Sequence, residues 1–274
     1  MNKLSIEHIN SFFEPRAATS HKGNHGHAML IAGNTGRMGA AVISARACLR
    51  AGVGLLTVNI PMEQAAILQI AVPEAMLLAR ESRPIDLDAF EAVAIGPALG
   101  LDKDAAQLLS HLLSSCNKPL LLDADALSIL ALDNTLLDKI PAGTILTPHL
   151  KEFDRVFGNH QNDKDRSATA LLQAKKRNII IVLKGHETLI TFGGGVFLNT
   201  TGNAGLAKAG SGDALTGIIT AFLAQGYKPF DAAKLGVYLH GLAADIALKE
   251  QSLESMLITD VIECLGKAFK IIQR

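Results

Sequence analysis

The chain has 274 residues, 49% hydrophobic and 19% charged, which is ample material for a packed core and excludes an intrinsically disordered chain. Lysine plus arginine and aspartate plus glutamate number 26 each, so no basic excess exists to attract nucleic acid or an acidic membrane. Any anionic ligand must be held locally, by backbone N–H groups and a few side chains.

The N-terminal stretch MNKLSIEHINSFFEPR has no apolar segment long enough for a signal peptide, and no later run reaches the length of a membrane span. Cys48, Cys116 and Cys264 are far apart and form no C-x-x-C pair, which points to free thiols in a reducing compartment. A soluble, cytoplasmic protein is expected.

Short apolar runs then alternate with helix-like segments. HAMLIAG (27–33) reads as a buried strand, MGAAVISARACLRAG (38–52) as a helix with small residues for close packing, and VGLLTVNI (53–60) as the next strand. AVAIGP (92–97), PLLLDAD (119–125), TILTPH (144–149) and NIIIVLKG (178–185) repeat the strand pattern, with helices over 102–116, 163–177 and 210–225. These strands are continuously apolar rather than alternating, as in a parallel sheet covered on both faces. Around 187–201, ETLITF and VFLNTT flank a glycine turn and predict an antiparallel edge hairpin. Beyond Gly202 the chain reads as mostly helical. With no repeat or linker, the expectation is one α/β domain over 1–274, a mostly parallel sheet between two helical layers.

Ligands of open α/β sheets sit beyond the C-terminal ends of the strands. Here those ends carry IAGNTGRMG, IGPALG, DADAL, TPHLKE and LKGHET. GNTGRMG is not a dinucleotide fingerprint, and no P-loop motif occurs. IGPALG taken alone reads as a structural turn, with Asp102 capping the next helix. Asp123 and Asp125 either hold Mg²⁺ through water, orient a ligand or, for Asp125, cap a helix. Pro148 would fix the first turn of a helix, and His149 bonds either a ligand or the local chain. Lys184 either reaches a phosphate or is solvated at a hairpin turn.

The strongest local signal is AGSGDALTG (209–217). Consecutive N–H groups in a glycine turn form an anion-binding concavity, and the following helix adds its positive end. Asp213 fits a first-turn acidic residue, yet beside a phosphate it costs about 1 kcal/mol of repulsion in water and more when buried. Serine or asparagine would cap without that cost. Asp213 is accounted for if it takes a proton from a hydroxyl that attacks phosphorus.

Together, HKGNHGHAMLIAGNTGRMGAAVISARACLRAGVGLLTV (21–58), IGPALG, LLLDADAL, ILTPHLKEFDRVFG, VLKGHETLI and TGNAGLAKAGSGDALTGII resemble the ADP-dependent NAD(P)H-hydrate dehydratases of the ribokinase-like superfamily. The chain departs from the usual motifs at Ala98, Lys151, Ala204, Leu206, Ala209 and Ser211. The resemblance implies a ribokinase-like three-layer sandwich and a stand-alone lyase. It would dehydrate the S-form of hydrated NADH or NADPH at the expense of ADP, giving AMP and phosphate, in a nicotinamide-nucleotide repair role. It further implies that Ala40, Gly100, His149 and Asp213 contact the hydrated dinucleotide, with Asp213 as base. Lys184, Gly185, His186, Glu187, Thr188, Gly210, Ser211 and Gly212 would hold the nucleotide. Mg²⁺ and a homotetramer are implied by resemblance alone, and no residue set in the sequence shows a metal cage. The alternative is a ribokinase-like kinase acting on a small vitamin precursor, sharing the same anion hole and base.

Overall fold

The computed structural model describes residues 2–80 and 85–273. Its strands are β1 (Asn2–Lys3), β2 (His27–Ile31), β3 (Leu55–Ile60), β4 (Met76–Ala79), β5 (Ala92–Ile95), β6 (Leu120–Leu122), β7 (Ile145–Leu146), β8 (Ile180–Leu183), β9 (Leu189–Phe192) and β10 (Gly195–Leu198). Its helices are α1 (Ile6–Asn10), α2 (Met38–Arg50), α3 (Ala65–Ala71), α4 (Lys103–Ser115), α5 (Asp125–Leu132), α6 (Leu150–Phe157), α7 (Asp163–Arg177), α8 (Ser211–Ala224), α9 (Pro229–Ala247) and α10 (Ile258–Ile272).

The strands form one sheet in the order β1-β10-β9-β8-β7-β6-β5-β2-β3-β4. Pairing is parallel from β8 to β4, and β8-β9-β10 is the expected antiparallel edge. Side chains alternate between faces with a period of two. Accordingly Ala28, Leu30 and Ala94 join the core under α2, α8, α9 and α10, while Met29, Ile31, Val93 and Ile95 join the core with α4 to α7. This is the sandwich the sequence implied. Two edge strands escaped it: β1, which pairs parallel with β10, and β4, which pairs with β3. Both lie at the sheet margins: β1 is only two polar residues, Asn2 and Lys3, while β4 is the short apolar run MLLA.

The helix that matters most is α8. Nearly every residue from Ala214 onward is buried, so it is a core helix enclosed on all sides. It lies close to α2: a Cβ on Gly217 would sit 2.1 Å from the Ser44 carbonyl oxygen, so only glycine fits. The Ser44 hydroxyl donates to the Asp213 carbonyl at 2.9 Å, which fixes the start of α8 against α2.

Candidate active site

The entry to α8 is set by Gly210, in the left-handed region at φ 92°. A side chain there would be strained and would meet Ile43 Cδ1 at 2.7 Å. Past this turn the Ser211 N–H reaches the Lys208 carbonyl, and the first regular helical bond runs from Ala214 N–H to the Gly210 carbonyl. Between them, the N–H groups of Gly212 and Asp213 have no acceptor among the described residues. Two free donors at the positive end of a helix make an anion site.

Lys184, at the end of β8, completes it. A Cβ on Gly212 would lie 3.1 Å from Lys184 Nζ, so the ammonium sits directly over the glycine turn. The lysine is not the solvated turn residue considered above. Its Nζ donates to Asp123 Oδ1 at 2.9 Å, and Thr216, one turn beyond Asp213, donates its hydroxyl to Asp123 Oδ2 at 2.8 Å. Asp123 is only 1% exposed. Burial pulls the Lys184 pKa down, but Asp123, with Glu152 and Asp213, more than restores it and holds the ammonium charged.

Asp213 is half-buried on the first turn of α8. Burial, and then repulsion from Asp123, raises its pKa to about 6 against the opposing pull of Lys184. A carboxylate with that pKa is ionised at neutral pH and still basic enough to accept a proton.

Asp125 does not cap its helix. The N-cap position of α5 belongs to Ala124, which carries a positive φ of 49°. This turn sends the Asp125 carboxylate to the Gly100 N–H at 2.8 Å, with Arg37 Nη1 at 3.6 Å. Asn34 also bonds the Leu99 carbonyl, so the GNTGRMG and IGPALG loops are tied together. Ala40 lies half-buried at the start of α2, beyond Arg37, while Gly100 is buried. Arg80 supports the same rim by donating to the carbonyls of Ala32, Gly33 and Asn59.

His149, not Pro148, begins the next helix: it is the N-cap of α6. Its Nδ1 accepts from the Lys151 and Glu152 N–H groups. Burial, then Lys184 and Arg155, lower its pKa against the pull of Glu152, so the ring is neutral at neutral pH. With Nδ1 accepting, the proton resides on Nε2, which lies 3.4 Å from Glu152 Oε1 and remains half-exposed. A backbone bond from Lys184 N–H to the Pro148 carbonyl sets His149 beside Lys184.

A cavity of about 540 Å³ opens beside the anion site, lined by Lys184, Gly185, His186, Thr188, Ser211 and Gly212. Leu206, Leu215 and Val237 also line it, with Asn199, Asn203 and His240. Glu187, by contrast, is exposed and outside this lining. Gly210 and Asp213 at the turn, and Ala40, Gly100 and His149 across the strand ends, also lie outside it. The sequence reading missed His240, whose setting in VYLHGLAAD is that of a core helix, and the whole α9 wall.

No cluster of three ligating side chains that could hold a metal occurs among the described residues. Both oxygens of Asp123 are taken by Lys184 and Thr216, and Asp125 Oδ2 by Gly100 and Arg37. The cysteines are free and buried, and no helix among the described residues is long and apolar enough to cross a membrane.

Comparison with known proteins gives this arrangement a lineage. A family model described as NAD(P)H-hydrate dehydratase matches residues 28–267. The chain is 35% identical to the ADP-dependent (S)-NAD(P)H-hydrate dehydratase of Bacillus subtilis, over 96% of each chain. It is 36% identical to the bifunctional NAD(P)H-hydrate repair enzyme of Moorella thermoacetica, covering 91% of itself but 50% of that protein, so it spans about half the length of such two-function relatives. A crystal structure of the ADP/ATP-dependent NAD(P)H-hydrate dehydratase from Bacillus subtilis, co-crystallised with ATP/Mg²⁺, superposes with a TM-score of 0.89 at 32% identity, covering 99% of this chain and 98% of that one. The chain belongs to the NAD(P)H-hydrate dehydratase family.

Proposed function

We propose that the protein dehydrates the S-form of hydrated NADH or NADPH back to the reduced cofactor, consuming ADP and releasing AMP and phosphate. The observation that carries this reading is one helix terminus that combines two free N–H donors, a charged lysine and a half-buried carboxylate of pKa about 6. The free N–H groups of Gly212 and Asp213, with Lys184, would hold the β-phosphate of ADP and stabilise charge on it during transfer.

Asp213 would take the proton of the ring hydroxyl as that oxygen attacks the β-phosphorus. The bond from phosphorus to the bridging oxygen then breaks and AMP departs. The phosphate ester formed on the ring is a good leaving group. Loss of phosphate and of a neighbouring C–H proton restores the ring double bond. Asp125, Gly100 and Arg37, with Ala40 and His149 Nε2–H, would form the side that receives the hydrated dinucleotide. Lys184 to Thr188 and Gly210 to Gly212 would form the nucleotide side, with Glu187 at its exposed margin.

The test is an absorbance assay at the reduced-nicotinamide band, starting from hydrated NADH and adding ADP, then ATP. Growth of the band with ADP is expected. No growth, together with ATP-dependent phosphorylation of a vitamin alcohol, would replace this reading with the kinase alternative.

A reducing, cytoplasmic setting belongs to the same proposal, supported by the three free thiols. So does a homotetramer: exposed Met62, Ile67, Ile70 and Met76 lie together on the segment that ends in edge strand β4. Light scattering on the purified chain tests the tetramer.

A further inference from the structure

Among the described residues, two buried side-chain polar atoms have no hydrogen-bond partner: Thr191 Oγ1 and His240 Nε2. An orphan of this kind costs about 1–3 kcal/mol unless something else satisfies it. Thr191 pairs with Ile181, whose side chain belongs to the α4–α7 layer, so the threonine faces away from the cavity. His240 is different. It lies on α9 one turn after Val237 and next to Gly241, and all three line the cavity that holds Lys184 and Gly212. The ring is 7% exposed. Gly241 allows the close approach: a Cβ there would meet Thr201 Oγ1 at 2.4 Å.

We propose that His240 recognises the nucleoside half of the bound adenine nucleotide, its ring nitrogen making a hydrogen bond to the base or ribose. This rests on the nucleotide reading of the cavity given above. The division of labour inside the cavity supports it. Phosphate charge is already met by Lys184 and the free N–H groups at the start of α8. Leu206, Leu215 and Val237 supply the apolar walls that suit a planar base. Burial, then the nearby Lys184 charge, hold the imidazole neutral, with its pKa pushed down to about 4. A neutral ring adds no charge for phosphate but complements an uncharged hydroxyl, amine or ring nitrogen. Such a group satisfies a site polar atom that a competitor lacking it would leave unpaired, which is the physical basis of strong discrimination.

His240→Phe keeps a ring and removes both nitrogens, and His240→Gln returns a hydrogen-bonding amide. Binding of ADP, AMP and adenosine to the full chain is measured by calorimetry, with adenosine read by competition. The dissociation constants of all three should rise by a common factor of roughly 5 to 30 in His240→Phe and recover in part in His240→Gln. In Lys184→Met the loss should instead grow from adenosine to ADP. Ligand-free His240→Phe should melt no lower than wild type, because it removes an unsatisfied polar atom, whereas a merely structural histidine would lower the melting point. Wild-type affinity for ADP in folded His240→Phe, or a loss that grows with phosphate number, overturns the assignment while leaving the dehydratase reading standing. Failure of the wild type to bind ADP overturns both. If His240→Phe does not fold, wild-type protein with ¹⁵N-labelled histidine rings decides. The resonance missing from His240→Gln must shift on saturation with adenosine, and an unmoved resonance overturns the proposal.

Discussion

Replacing Asp213 by asparagine separates catalysis from stability in a way the geometry makes quantitative. The pKa rises from 3.8 to about 6 on folding, with burial as the largest cause. That rise corresponds to ~3 kcal/mol by which the folded protein disfavours the ionised form, net of every charge and dipole around it. The sign follows from the direction of the shift. A raised folded pKa gives stability that is fully present below the unfolded value and lost as pH rises through about 6. Wild type and Asp213→Asn should therefore unfold alike near pH 3.5. At pH 8, without nucleotide, the variant should be more stable by ~3 kcal/mol, or ~6–12 °C in Tm. Turnover should vanish while ADP binding survives, and the wild-type rate should climb on an acid limb near pH 6. Thermal unfolding at the two pH values, with turnover and ADP titration, checks each part. A stability difference that does not change with pH, or retained turnover, would refute the argument that a desolvated carboxylate serves as base.

Asp123→Asn leaves Lys184 buried without its counter-ion, so stability should fall by ~3–5 kcal/mol in urea titrations. In whatever folds, the acid limb should move to lower pH, because Asp213 loses a like charge. Gly212→Ala places a Cβ 3.1 Å from Lys184 Nζ on the first turn of α8. Calorimetry should show ADP binding weakened at least roughly tenfold, while helix propensity leaves the melting temperature unchanged or slightly higher. Ala98 holds a positive φ of 51°. Ala98→Gly should relieve that strain and be neutral to stabilising by up to ~1 kcal/mol, the reverse of a glycine placed in a strand.

Much of the fold was legible because the central strands are apolar on both faces and need no partner to be recognised. Edge strands β1 and β4 were not: β1 is only Asn2–Lys3, and the four-residue apolar run of β4 is too short for periodicity to distinguish it from a helix segment. Within the site, Gly210–Asp213 announced itself locally: a helix terminus rich in glycine is a property of adjacent residues. The role of Lys184 was legible only as a choice, because its partners Asp123 and Thr216 are brought to it by the sheet order and by the packing of α8. His240 carried no signal at all. A histidine between leucine and glycine on an apolar helix reads as core, and only the absence of a hydrogen-bond partner beside the cavity distinguishes it.

The three residues Asp123-Ala124-Asp125 show what such a reading lacks. Two carboxylates one residue apart invite the idea of a shared metal or a simple cap. The backbone rules out the cap and gives each carboxylate its own partners. Ala124 at φ 49° turns the chain so that Asp123 stays in the sheet layer, and Asp125 opens α5 toward the opposite loops. Gly96 permits the turn: a Cβ on it would meet the Asp123 carbonyl oxygen at 1.8 Å, and its own carbonyl accepts the Asp125 N–H. One carboxylate thus fixes Lys184 on the side proposed for the nucleotide, and the other fixes Gly100 and Arg37 on the side proposed for the dinucleotide. Asp213 lies between these demands, and its raised pKa is in part a product of both neighbours. Burial is the largest source of the basicity attributed to that carboxylate, and a strained junction on a different element, ninety positions earlier in the chain, raises it further.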